Sequence, residues 1–150
     1  MRPIMLLAPI ALLVSACAKS DTPAADTGAA MAMAPTMMME ADVAGSWTGT
    51  SMPEGSDSVV ARWTQMCGGG TCKGTVEGMP DTVVSTYTIS GDSAVGVSTA
   101  YMEPTLKLRV VDTWVARAKD GTVGGTQVTK LADKDSVLMR TRFTGTRATK

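Results

Sequence analysis

In a chain of 150 residues without a histidine, few side chains are available for chemistry. Five thioethers, Met31, Met33, Met37, Met38 and Met39, fall within nine residues. Thioethers are soft ligands that select Cu(I), so a Met-rich metal-binding tail is one reading; composition of the surrounding Ala-Pro-Thr tract is the other. Gly68-Gly69-Gly70 ahead of Lys73 suggests a phosphate loop. Such loops lead into a helix and carry a Lys-Ser/Thr pair. Here Thr71-Cys72-Lys73 opens a strand-like run instead, which makes the glycines a hairpin turn. Without histidine or a Gly-x-Ser-x-Gly elbow there is no nucleophile, base and acid to combine. The expectation is a non-enzymatic protein that needs no cofactor.

The N-terminus carries Arg2, then an apolar run over residues 4–14 broken only by Pro9, then the small residues Ser15 and Ala16. This is the three-part layout of a secretory signal. The run is shorter than the roughly 20 residues that a membrane-spanning helix requires, so residues 1–16 read as a signal peptide that is removed. Val14-Ser15-Ala16-Cys17 resembles the lipobox of bacterial lipoproteins. The resemblance implies that the Cys17 thiol carries a diacylglyceryl group and that its freed amine is acylated with a palmitate-type chain. Two or more chains hold a protein stably where one holds it only marginally. In Gram-negative members of the family, Asp at the next position favours inner-membrane retention. Ala18 stands there, which implies an anchored protein on the periplasmic side of the outer membrane.

With Cys17 assigned to lipid, Cys67 and Cys72 are left, flanking the glycine turn. An exported protein can keep such a pair oxidised, and a hairpin brings two Cα atoms within the roughly 4.4–6.8 Å that a disulfide spans. A disulfide is the expectation, with a free or redox-active pair as the alternative. A metal site there lacks further ligands.

Bulk charge is balanced, 14 basic against 14 acidic residues, which argues against nucleic acid as a partner. The distribution is uneven. Residues 18–104 carry three basic and ten acidic side chains, whereas residues 105–150 carry ten and four. Pairing between the two halves explains this if their strands interleave; an anion-binding or headgroup-binding face is the sharper reading.

Residues 17–42 are Ala, Met, Thr, Pro, Asp and Gly without apolar period or aromatics, and they read as a disordered tether. Residues 43–150 form the folded domain. Eight runs rich in Val, Thr, Trp, Tyr and Ile are separated by Gly, Pro and Asp turns: 46–51, 58–66, 71–76, 82–89, 93–101, 106–118, 122–131 and 137–146. Connections this short exclude parallel crossovers, so the fold class is all-β, one antiparallel up-and-down meander. Closure into a small eight-stranded barrel removes both edges; a two-sheet sandwich is the alternative.

Alternation sorts the side chains. Trp63, Tyr87, Val110, Trp114 and Phe143 fall on inward faces, with Trp47. Parity also puts Asp112 inward, between Val110 and Trp114. A carboxylate there needs a partner: a lumenal arginine, a β-bulge that turns it outward, or a ligand.

Gly45-Ser46-Trp47 resembles the Gly-x-Trp at the start of the first barrel strand in lipocalins and related calycins. The resemblance implies that Trp47 closes the bottom of the barrel with a basic residue of the last strand across it. Arg140 and Arg142 are the candidates, with Arg147 just past them. It further implies a lumen that holds a small apolar or amphipathic ligand. A different class of function is an envelope protein-interaction or structural module that docks a partner through the basic C-terminal strands.

Overall fold

A computed structural model describes residues 37–148. The signal expected at residues 1–16, Cys17 and the first part of the expected tether, with Met31 and Met33, lie outside the described residues.

The chain enters through a single helical turn, α1 (Glu40–Val43), whose Asp42 carboxylate accepts the Met39 N–H at 2.7 Å and so holds the first turn. Nine strands follow: β1 (Gly45–Pro53), β2 (Ala61–Gly68), β3 (Thr71–Val76), β4 (Val83–Ser90), β5 (Ser93–Ser98), β6 (Tyr101–Glu103), β7 (Leu108–Lys119), β8 (Thr122–Leu131) and β9 (Val137–Arg147). Neighbours in the sheet run β5-β4-β3-β2-β1-β9-β8-β7, every pair antiparallel, and β5 closes the ring against β7. The fold is the closed eight-stranded meander that the alternation predicts, with one short strand added. Odd positions of β1, β2, β4, β8 and β9 and even positions of β3, β5 and β7 face the lumen. Outward positions are rich in threonine. Thr75, Thr64, Thr48, Thr146 and Thr122 line up in register across five strands.

The added strand has a physical origin. Val97 pairs with Thr113 but Tyr101 pairs with Val110, so four steps on one side meet three on the other. The expected strand 93–101 is therefore broken at Thr99-Ala100 by one extra residue, a bulge. Because side chains alternate with period two, one extra residue reverses the faces beyond it. β5 turns Ala94, Gly96 and Ser98 inward, whereas β6 turns Tyr101 and Glu103 inward and leaves Met102 exposed.

The two ends of the barrel differ. At one end the hairpins are tight, as at Gly69-Gly70, where both residues have positive φ and Gly68 pairs with Thr71 across the turn. A two-residue turn of this hand matches strand twist and favours glycine, which accounts for the triple glycine. At the other end the connections are longer: 54–60, 77–82, 104–107 and 132–136.

The folded unit also begins before the expected boundary at residue 43. The Met38 N–H bonds the Gly91 carbonyl at 3.0 Å, and the Met38 side chain is buried at the tight end with Val43, Trp47, Cys67, Cys72, Tyr87 and Ala94. A lone buried methionine ahead of one helical turn leaves no apolar period for a pattern argument to detect.

Candidate functional site

The tight end is the floor of the lumen. Trp47 is 2% exposed, its indole N–H donates to the Val43 carbonyl at 2.7 Å, and the Arg147 guanidinium lies over its ring at 4.5 Å. Arg147 also donates to the carbonyls of Asp42 (2.8 Å), Ala41 (3.2 Å) and Ala44, tying the last carbonyls of α1 to the barrel. Gly45 permits this. Its φ of 123° suits glycine, and a Cβ there would press on Arg147 Nη1.

The expected closure by Arg140 and Arg142 is corrected: the register pairs Trp47 with Arg147, and both even-numbered arginines point outward. Arg142 instead donates to the Ser56 carbonyl and pairs with Asp57 in the β1–β2 loop, while Arg140 is exposed. Arg117 pairs with Asp92 at 2.9 Å. Both of these ion pairs join the basic C-terminal third to the acidic remainder. The uneven charge is thus resolved, in part, within the molecule.

Glu40 completes the floor. Its carboxylate accepts the Gly69 N–H at 2.9 Å and the Tyr87 hydroxyl at 2.5 Å. Burial, and then the Glu40 carboxylate, push the Tyr87 phenol up to about 12. Beside it Cys67 and Cys72 face each other in register across β2 and β3, Cα atoms 4.1 Å apart, and form a disulfide.

Above the floor the wall is built from aromatic side chains laid across glycines of the adjacent strand and, for Trp63, of the strand beyond it as well. Trp63 lies over Gly49 and Gly145, Trp114 over Gly96, and Phe143 over Gly125; a Cβ at any of these glycines would overlap the ring. Glycine on one strand and an aromatic on its neighbour fill one shared space. Trp63 and Phe143 meet edge to face with centroids 6.1 Å apart, and Tyr87 and Trp114 are tilted at the same distance.

These rings line a hollow lumen. The cavity measures about 640 Å³ and reaches from Trp47 past Trp63, Trp114 and Phe143 to Val60, Met79, Leu106 and Met139 at the end with long loops. Its volume lies within the roughly 300–1,000 Å³ typical of small-molecule pockets, and its mostly apolar lining suits one. Among the residues expected inside, Trp47, Trp63, Asp112, Trp114 and Phe143 line it. Tyr87 and Val110 are buried but do not, since Tyr87 is spent on the floor and Val110 is fully enclosed.

Asp112 is the polar centre of the cavity. It is 6% exposed; its carboxylate accepts the Tyr101 hydroxyl at 2.7 Å and the Thr129 hydroxyl at 2.6 Å. Its backbone N–H, facing the bulge where a ladder bond would fall, donates to Ser98 Oγ at 2.9 Å. Neither expected partner is present: no arginine reaches Asp112, and the bulge lies on the opposing strand and leaves Asp112 inward. Burial raises the Asp112 carboxyl above the ordinary carboxylate range, against the bonds from Thr129, Tyr101 and Gln127 that favour its ionised form. Burial and the adjacent charge push the Tyr101 phenol upward in turn.

No family model, curated protein or solved structure matches the chain.

The site's assignment therefore rests on its geometry. Among the described residues no group of three or more His, Cys, Asp or Glu could hold a metal ion. Of the methionines considered as Cu(I) ligands, Met37 and Met39 are exposed while Met38 is packed into the floor. No helix among the described residues is long and apolar enough to cross a membrane.

Sequence reasoning missed Tyr101, Thr129 and Ser98, whereas the alternation of the last strand puts Met139 on the face of Phe143. Tyr101 reads as outward with Val95 and Val97 unless the bulge is known. Thr129 was detectable: it alternates with Val123, Gly125 and Gln127 on the inward face of β8.

Proposed function

We propose that this is a non-enzymatic lipoprotein whose barrel binds a small apolar or amphipathic molecule, held by a lipidated Cys17 on the periplasmic side of the outer membrane. The observation that carries the binding reading is the hollow lumen, about 640 Å³, with a closed floor, an aromatic wall and apolar side chains at its mouth. A structural barrel gains stability by filling its interior, because empty space forfeits packing contacts. Here the hollow runs from the floor residues Trp47, Cys67 and Cys72 to the mouth. The export signal and lipobox resemblance support the location, and the Cys67–Cys72 disulfide suits an oxidising compartment.

The alternative of a partner docked on basic C-terminal strands is weaker, because Arg147 is engaged at the floor and Arg142 is paired with Asp57 on the outer surface. Tryptophan emission reports on the lumen directly, since all three indoles line it. Titration with a panel of lipids and small hydrophobes is expected to shift or quench that emission for at least one class. Unchanged emission across the whole panel would overturn the binding reading.

A further inference from the structure

The charge inside the lumen is one-sided. Of the ionisable side chains lining the cavity among the described residues, Asp112 is buried, Glu103 stands at the mouth, Glu77 is exposed and faces Arg62 at 3.9 Å, and no lysine or arginine lines it. Arg147 stacks on Trp47 at the floor and is bonded to the carbonyls of α1.

Asp112 therefore sits in a largely apolar space with neutral partners only, the Tyr101 and Thr129 hydroxyls and the Gln127 amide. A buried carboxylate is normally compensated by a cation. These neutral bonds also leave it spare capacity, because an ionised carboxylate offers about four acceptor positions. A second observation points the same way. Thr141, on the same wall and paired in register with Gln127 beside this network, has a hydroxyl buried without any hydrogen-bond partner. Below both lie the faces and edges of Trp63, Trp114 and Phe143. Such rings attract cations through their quadrupoles and accept an apolar chain by area.

From this arrangement we propose that the lumen takes an organic cation: a primary ammonium group paired with Asp112, attached to an apolar body lying against Trp63, Trp114 and Phe143. Tyr101 and Thr129 hold the carboxylate in place, and Glu103 adds negative potential at the mouth. A fatty acid fits the same space but brings its own carboxylate toward Asp112, where like charges repel. The inference rests on the reading of the cavity as a ligand site and adds the sign of the ligand's charge.

Three probes of one shape test it: n-octylamine, 1-octanol and octanoate, titrated at pH 7 into the full chain by calorimetry with tryptophan emission as a second signal. Octylammonium is expected to bind at least tenfold more tightly than octanol, with octanoate weakest. Asp112→Asn should erase the preference for the amine while keeping octanol within about twofold of its wild-type affinity. The comparison in the wild-type protein decides the matter even if that variant folds poorly. Octanol or octanoate binding as tightly as the amine, or an unchanged amine preference in Asp112→Asn, overturns the cation assignment and leaves the cavity a ligand site. Absence of binding by all three overturns both.

Discussion

At the scale of single residues the barrel has two charged side chains placed with opposite logic. Arg147 is fully partnered: one face stacks on Trp47 and the nitrogens bond three carbonyls. Losing a cation–π contact and several charge-assisted bonds at a half-buried site costs about 2–4 kcal/mol. Arg147→Ala should lower the urea midpoint accordingly. Arg147→Lys recovers only part, since an ammonium lacks the planar fork. Arg140→Ala, at an exposed outward position, is expected within about 0.5 kcal/mol of wild type. Equal losses for Arg140→Ala and Arg147→Ala would contradict this account of the floor.

Asp112 is the opposite case, an acid held with neutral partners. Its folded-state carboxyl is raised above its ordinary value of 3.8. Between that value and the raised one the folded protein binds more protons than the unfolded chain, so stability falls as pH rises through that window. The groups facing Asp112 from β6 that carry or gain charge are Glu103 and Tyr101, whereas β8 offers only Thr129 and Gln127. Unfolding free energies of wild type and Asp112→Asn, measured from pH 7 toward pH 4, should diverge, with wild type gaining on the variant as pH falls. Parallel curves would remove Asp112 as the origin of the dependence.

Elements explain which parts of this were legible in the sequence. Alternation over β7 and β9 was strong enough to place Trp114 and Phe143 inside, because half-buried strands write their register as period two, whereas Trp47 was placed by its resemblance to the Gly-x-Trp of lipocalins. The same parity, carried three residues past Thr144, puts Arg147 rather than Arg140 or Arg142 on the side of Trp47. That inference was available before any coordinates. The bulge at Thr99-Ala100 was not, since one extra residue in a run of small side chains leaves no signature in hydropathy. Nor was the role of Met38 and Glu40, which depends on contacts with Gly91, Gly69 and Tyr87 far along the chain.

The bulge makes a testable claim of its own about the register that aims Tyr101 at Asp112. The protein has two tyrosines. One is pushed up to about 12 and the other further, so neither phenol of the folded protein should ionise near the ordinary value of about 10. Deleting Ala100 removes the extra residue and leaves Tyr101 three steps from Val97 and opposite Val110, so the phenol still faces Asp112. Ultraviolet titration of the deletion variant should then show both phenols still ionising above the ordinary value of about 10. One phenol ionising near 10 in a deletion variant that unfolds cooperatively would show that the bulge is not a single extra residue in this register.

For the whole molecule, the entry of the described chain and the mouth of the cavity lie at opposite ends of the barrel. The described chain enters beside Gly91 at the floor, and the cavity opens at the opposite end among the long loops. No described residue between Met37 and Val43 lines the mouth; Met38 and Val43 reach only the deepest part of the cavity. The first described residues therefore join the domain on its closed side, away from the entrance. Two or more acyl chains give stable retention, and removing the thiol removes the first of them.

Cys17→Ser, expressed with its own signal, should accordingly move the protein from the membrane pellet to the soluble envelope fraction. Its tryptophan emission, unfolding midpoint and octylamine affinity should stay at wild-type values, because nothing in the barrel depends on the lipid. Wild-type protein already found in the soluble fraction would end the anchor assignment and leave the barrel's chemistry standing. A Cys17→Ser protein that is soluble but has lost amine binding would instead mean that the acyl chains act on the cavity itself, and that attachment and binding are one device rather than two.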